Sequence, residues 1–153
     1  MNLEDTLYLD LKEGRVTIEL YPDVAPKHVA RIKELARDGF YDGLKFHRVI
    51  PGFMAQGGDP KGNGTGGSGE NIPAEFSDKD HIRGTVSMAR SAMPDSADSQ
   101  FFICFDVAPH LNGQYSVWGQ VTDGMEHVDA LNPGENGSDP DVIIKMQIAA
   151  DAE

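Results

Sequence analysis

The chain has 153 residues, with 13 Lys and Arg against 25 Asp and Glu and a formal net charge of −12; that length suits one domain spanning residues 1–153. The charge balance excludes a nucleic-acid binder, which needs a positive footprint, and it excludes docking on an anionic membrane surface. Hydrophobic residues at 39% are enough for one core, and 17 Gly with 9 Pro fall short of the roughly 25–30% that marks low complexity.

The first residues, Met1 to Tyr8, carry Glu4 and Asp5 and no basic stretch, so no signal peptide is expected there. Thr6 to Leu11 alternates, with Leu7, Leu9 and Leu11 on one face, and Arg15 to Leu20 repeats the pattern with Val16, Ile18 and Leu20. Period 2 predicts two half-buried strands, and Lys12-Glu13-Gly14 is short enough for a hairpin turn. Pro26 to Asp38 changes period: Val29, Ile32 and Leu35/Ala36 recur at helical spacing, Pro26 suits the first turn and Gly39 suits the stop. Phe46 to Ala55 reads as strand, broken at Pro51-Gly52. Gln56 to Asp80 has no periodicity and is dense in Gly, Asn, Ser and Asp; so long a loop inside a compact domain tends to be functional.

Thr85–Ala89, Phe101–Phe105 and Val117–Val121 are further strands, with the turn pair Asn112-Gly113 between the last two. Gly124 to Leu131 predicts a short helix and Val142 to Ile148 a closing strand. Seven or eight strands, two helices and no βαβ rhythm favour an antiparallel barrel or sandwich. Cys104 alone makes neither a disulfide nor a zinc site, and no apolar run approaches the ~18 residues of a membrane span. A soluble protein in the cytoplasm is the expectation.

Most short motifs fail on context. Gly62-Asn63-Gly64-Thr65-Gly66-Gly67 fits G-x-G-x-x-G, but more loop follows where a dinucleotide site needs a helix. Asp59 to Glu70 nearly matches a twelve-residue calcium loop, yet Lys61 stands where an oxygen ligand is wanted and no helices flank it. His28, His47, His81, His110 and His127 stand at no metal-ligand spacing, so no metal and no cofactor is expected. No serine lies in a G-x-S-x-G elbow. Cys104, inside Phe101-Phe102-Ile103-Cys104-Phe105, reads as a buried thiol.

One constellation is longer than any of these. Phe46-His47-Arg48-Val49-Ile50-Pro51-Gly52-Phe53-Met54-Ala55-Gln56-Gly57-Gly58-Asp59 resembles the signature of the cyclophilin family of peptidyl-prolyl isomerases. Gly84 to Ser91 followed by Ser99-Gln100-Phe101-Phe102-Ile103-Cys104 resembles the family's central segment, and Leu111 to Val121 the stretch after it. The resemblance runs from Leu7 to about Ile148. It implies a mainly β fold: a closed eight-stranded antiparallel β-barrel capped by two α-helices, with the site on the outer wall.

The reaction implied is rotation about an X-Pro bond in protein substrates, which assists folding. Resonance sets a barrier of ~18–20 kcal/mol, and no bond to the substrate breaks, so no nucleophile or cofactor is required. The twisted imide regains a lone pair on the proline nitrogen, and a fixed donor aimed there favours that state over the planar one. The resemblance assigns this to Arg48, which read alone would be a surface ion-pair partner. It places Phe53, Met54, Phe102 and Leu111 around the proline ring, although without the family they would pass for ordinary core. Gln56 matches the amide that holds the carbonyl side. Gln100 and the backbone at Ala89, Arg90 and Ser91 match the peptide groove, and Gly64 matches a glycine beside the pocket for the preceding residue.

Departures occur at four places. Arg90 and Ser91 stand where the family often has Asn and Ala, which implies altered flanking preference. His110 stands where animal members commonly have Trp, and Tyr115 where they commonly have His; both border the proline pocket by resemblance. Weak binding of the cyclic peptide cyclosporin is the expectation, since a lost ring contact can carry much of a binding energy. The partners implied are proline-containing peptides and protein clients, and repulsion at −12 favours a monomer. A peptide-holding or chaperone module of the same fold without useful catalysis is the alternative, and the intact Arg48, Phe53, Met54, Gln56 and Phe102 set favours the enzyme.

Overall fold

Period-2 leucines build the first hairpin where alternation predicts it. In the computed structural model, which describes residues 2–135 and 140–152, β1 (Thr6–Leu11) pairs antiparallel with β2 (Gly14–Leu20), Leu7 opposite Ile18 and Leu9 opposite Val16. All four side chains are fully buried. Helix α1 (Pro26–Arg37) starts on proline, where the missing N–H costs nothing. No local side chain caps it; the Glu75 carboxylate, from the long loop, accepts from the backbone N–H of Lys27 and His28 at 3.1 and 2.8 Å. The helix buries Val29, Ile32, Leu35 and Ala36, and His28 with them, in contact with the C-terminal strand. Gly39 at φ +73° lets the chain turn away.

The remaining elements are β3 (Arg48–Ile50), β4 (Met54–Gly57), β5 (Thr85–Met88), β6 (Phe101–Cys104), β7 (Val117–Asp123), α2 (Met125–Asp129), β8 (Gly134–Glu135) and β9 (Lys145–Ile148), with single 3₁₀ turns at Leu3–Asp5, Pro109–Leu111 and Ala149–Asp151. One antiparallel sheet runs in the order β8-β3-β4-β6-β5-β7-β2-β1-β9. Eight strands have three residues or more, and the ninth, β8, has two.

Closure of the barrel is corrected: among the described residues no pairing joins β8 to β9, so the sheet is a curled, open half-barrel. The physical reason lies at the seam. Residues 43–46 and 141–143 meet there as an irregular segment, through Gly43 N–H to Ile143 O (2.6 Å), Phe46 N–H to Asp141 O (2.9 Å) and Ile143 N–H to Leu44 O (2.8 Å). They satisfy backbone groups without extending a ladder. Val142 and Ile143, read as strand from their apolar run, belong to that seam; Ile144 N–H donates to Asp10 O of β1 at 2.9 Å, and the strand proper starts at Lys145. Asn112-Gly113 also differs from expectation. It closes the 3₁₀ turn at Pro109–Leu111 and is no hairpin, because β5 lies between β6 and β7.

Alternation divides the apolar residues between two faces. Phe101 and Ile103 of β6 point into the interior with Leu7, Leu9, Ile18, Phe46 and Trp118. Phe101 meets Tyr41, Phe46 and Trp118 edge-on at ring-centroid distances of 5.7, 6.1 and 6.0 Å; removing such a ring costs about 3–5 kcal/mol. Phe102 and Cys104, between them in sequence, point outward into a second apolar cluster.

Candidate active site

The outward cluster is built on a cross-strand row. Arg48 of β3 lies opposite Gln56 of β4, Gln56 opposite Phe102 of β6, and Phe102 opposite Ser87 of β5. Two residues along the strands, Ile50, Met54 and Cys104 form the next row. Adjacent strands stand about 4.8 Å apart, so a guanidinium, an amide and a phenyl ring arrive side by side on one wall. The hairpin turn at Pro51-Gly52 then presents Phe53, and the 3₁₀ turn at Pro109–Leu111 presents Leu111 to the same cluster. Between them is a cavity of about 140 Å³ lined by Arg48, Phe53, Met54, Gln56, Phe102, Leu111 and Tyr115, with Ala89 and Arg90 at one side.

Amide orientations in the row follow from one carbonyl. Gln100 Nε2 donates to Gly66 O at 2.9 Å, which turns its Oε1 toward Gln56, whose Nε2 donates to it at 2.9 Å. Among the described residues Gln56 therefore keeps one side-chain N–H and its own carbonyl oxygen for a ligand. Ala89 N–H donates to Gln100 O at 2.9 Å, so the backbone on which the Arg90 side chain stands is fixed by the same residue.

A second cavity, of about 480 Å³, adjoins the first and shares Gln56, Ala89 and Arg90 with it. Gly64, Ser91 and Gln100 line it, together with Lys61 and Asp98. Its floor is the glycine-rich loop, folded onto two carboxylates. Asp59 accepts from the N–H of Lys61, Asn63 and Gly64 at 2.8, 3.1 and 2.6 Å. Burial pushes its pKa up, but these bonds outweigh that and hold it below the ordinary range. A carboxylate so engaged anchors the loop. Asp98 accepts from Ser68 N–H and Oγ–H and from Gly69 N–H. A Cβ on Gly66 would stand 2.2 Å from Asp59 Oδ1, and one on Gly67 2.5 Å from Asp98 Oδ2, which is why glycine is needed there.

His110 is exposed and lies beside Phe53 at a ring distance of 5.5 Å; it does not line the smaller cavity. Tyr115 does, and meets Phe102 edge-on at 5.4 Å. Sequence reasoning missed His81, which is fully buried behind Phe102 and stacks on it at 6.0 Å. Its Nδ1 lies 3.1 Å from Asn112 Oδ1, an atom that also accepts from its backbone N–H, and its Nε2 lies 3.1 Å from Ser87 Oγ. The neutral ring donating from Nδ1 and accepting at Nε2 satisfies both contacts, and burial lowers its pKa in keeping with that form. No local motif marks His81, because its partners lie across the fold. His47, next to Arg48, is buried with its ring close to Gly64, and burial lowers its pKa.

Among the described residues no group of three or more His, Cys, Asp or Glu side chains suits a metal ion, and no helix is long and apolar enough to cross a membrane. A separate cleft of about 570 Å³ around Tyr21, Asp23 and Lys79 contains none of the residues of the row.

Comparisons with known proteins agree with this architecture. The sequence model of the family described as cyclophilin type peptidyl-prolyl cis-trans isomerase/CLD matches residues 6–150. A probable peptidyl-prolyl cis-trans isomerase of Brucella suis is 56% identical, covering 98% of this chain and 85% of its own length. Peptidyl-prolyl cis-trans isomerase B of Bacillus subtilis is 47% identical over 85% of this chain and 92% of its own. Among solved structures, cyclophilin AquaCyp293 from Hirschia baltica superposes with a TM-score of 0.92 at 29% identity, over all of this chain and 77% of that one. A Cryptosporidium parvum cyclophilin-type isomerase, crystallised in the presence of the dipeptide Ala-Pro, superposes with a TM-score of 0.87 at 30% identity, over 94% and 98% of the two chains.

Proposed function

The chain belongs to the cyclophilin-type peptidyl-prolyl cis-trans isomerase family, and from that premise we propose how its outer wall turns an X-Pro bond. The proline ring enters the cavity between Phe53, Met54, Phe102 and Leu111, where it leaves water at a gain of about 25 cal/mol per Å² buried. Gln56 donates its remaining N–H to the carbonyl side of the peptide and holds that part of the chain. The rest of the substrate lies along Ala89, Arg90, Ser91 and Gln100, with Gly64 beside the residue preceding proline.

One half of the imide held and the other half seated in the pocket leaves rotation about the C–N bond as the free coordinate. As the bond twists, the proline nitrogen pyramidalises and its lone pair becomes an acceptor. The Arg48 guanidinium, permanently charged, meets that acceptor and not the conjugated planar nitrogen, so its interaction grows toward the transition state. No proton is transferred in this scheme.

The observation that carries the reading is the row Arg48–Gln56–Phe102 on three adjacent strands, which sets a cation, an amide and an apolar ring around one small cavity. That cation also favours catalysis over mere peptide holding. Residues 1–153 act in this reading as one isomerase domain, a monomer working on proline-containing segments of protein clients in the cytoplasm. A net charge of −12 and a buried lone thiol support that setting. An amide-shift NMR titration with a short Ala-Pro peptide tests the placement. Saturable shifts centred on Arg48, Gln56, Phe102 and Leu111 are expected, and shifts centred on the Tyr21 cleft would overturn it.

A further inference from the structure

The two cavities differ in charge from the rest of the molecule. In a chain of net charge −12, the larger cavity beside the proline pocket is lined by two cations, Lys61 and Arg90, and one carboxylate, Asp98. Asp98 is already committed: three donors from Ser68 and Gly69 occupy it, and Arg31, bonded to Ser68 Oγ at 2.8 Å, lies within its field. Arg90 is differently placed. Its Nε and Nη2 donate to Gln114 O at 2.9 and 2.6 Å and its Nη1 to Ser91 O at 3.0 Å. Its guanidinium carbon stands 4.9 Å from the ring centre of Tyr115 and 5.5 Å from that of Phe76. Every one of these partners is neutral, so the side chain is fixed in position with no carboxylate bonded to it among the described residues. Lys61 also has no carboxylate partner among the described residues.

Arg90 belongs to the walls of both cavities, so a peptide with its proline in the smaller one passes this cation on entering the larger. Successive side chains of an extended chain alternate. The residue that points to the same side as the proline ring is therefore two positions away, roughly 6.6 Å along the strand. We infer that this isomerase selects substrates with a carboxylate side chain two residues before the proline, received between Lys61 and Arg90. The inference rests on the peptide direction proposed above and adds to it the chemical class of the segment recognised. Arg90 acts here as a specificity-determining residue whose aromatic and carbonyl contacts hold its charge at the rim.

The test compares kcat/KM for three otherwise identical Xaa-Ala-Pro peptides with Glu, Gln or Lys two residues before proline, and a fourth with Glu two residues after it. At low ionic strength the Glu peptide should exceed the Gln peptide by about three- to tenfold, the scale of one or two partly exposed charge contacts, and the Lys peptide should be the poorest. The Glu/Gln ratio should shrink at 0.5 M salt, fall toward one in a Lys61→Gln, Arg90→Gln double variant, and invert in Lys61→Glu. Equal turnover of the Glu and Gln peptides, or an equal gain from Glu placed after proline, overturns the inference while leaving the isomerase reading intact. Failure of the wild type to turn over even the Gln peptide overturns that reading, and the inference with it.

Discussion

Replacing Gln100 by Ala removes the hinge of the amide relay. The side chain makes two hydrogen bonds, Nε2 to Gly66 O and Oε1 from Gln56 Nε2, both at 2.9 Å and both partly buried. Each contributes about 0.5–1.5 kcal/mol net, so about 1–3 kcal/mol of stability is lost, and the melting temperature falls about 2–4 °C for each kcal/mol in a domain of this size. The catalytic effect has a separate origin. Gln56 loses the acceptor that aims its amide, and restoring that aim on each encounter costs about 1 kcal/mol, or roughly fivefold in kcat/KM. Gln100→Glu separates the two effects: a carboxylate still accepts from Gln56 but cannot donate to Gly66. It should keep most of kcat/KM while losing stability as the alanine variant does. A coupled assay on a cis-proline peptide and thermal melts on both variants read the split. Unchanged kcat/KM in Gln100→Ala, or equal loss of kcat/KM in both variants, would refute the relay.

Three further outcomes are expected. Burial holds the pKa of His28, His47 and His81 below the ordinary value near about 6.5, so the unfolded chain binds the extra protons. Stability should be complete above about pH 7 and decline as pH falls below about 6.5, then decline further below about pH 4.5 as Glu75 and Asp59, both held low in the fold, protonate. Urea midpoints that stay flat from pH 7.5 to 5 would contradict this. The Cys104 thiol is fully buried and its pKa is pushed up to about 12 by desolvation. A disulfide reagent at pH 8 should leave the native protein unmodified and titrate one thiol after denaturation, and rapid native labelling would count against the outward cluster as drawn. His110→Trp should tighten cyclosporin binding, because the exposed ring beside Phe53 would gain area and an indole donor. A calorimetric Kd that fails to improve would show that position 110 does not touch the inhibitor.

Period-2 and period-3.6 patterns made β1, β2 and α1 legible to within a residue or two, because each has one apolar and one polar face. The strand Phe101–Cys104 was legible as a strand but not in its orientation: Phe101 and Ile103 face the interior and Phe102 and Cys104 face outward, and apolar residues on both faces hide that division. The candidate site residues were singled out through long sequence words, not through local physics, since Arg48, Gln56 and Phe102 come together only by strand pairing. His81 and the Glu75 cap on α1 were invisible for the same reason: their partners lie 31 and 47 residues away. The open seam was also beyond reach, because Val142 and Ile143 carry the apolar pattern of a strand but meet residues 43–46 through irregular contacts.

The central claim is that one guanidinium on β3 stabilises the twisted imide. Its most direct measurement is kcat/KM of Arg48→Ala on a cis-proline peptide, with circular dichroism and the melting curve confirming the native fold. Loss of one preorganised charged donor should lower turnover by about 10²–10³-fold while peptide binding, read by NMR titration, weakens far less. A folded Arg48→Ala protein that isomerises the peptide at close to the wild-type rate would contradict the account.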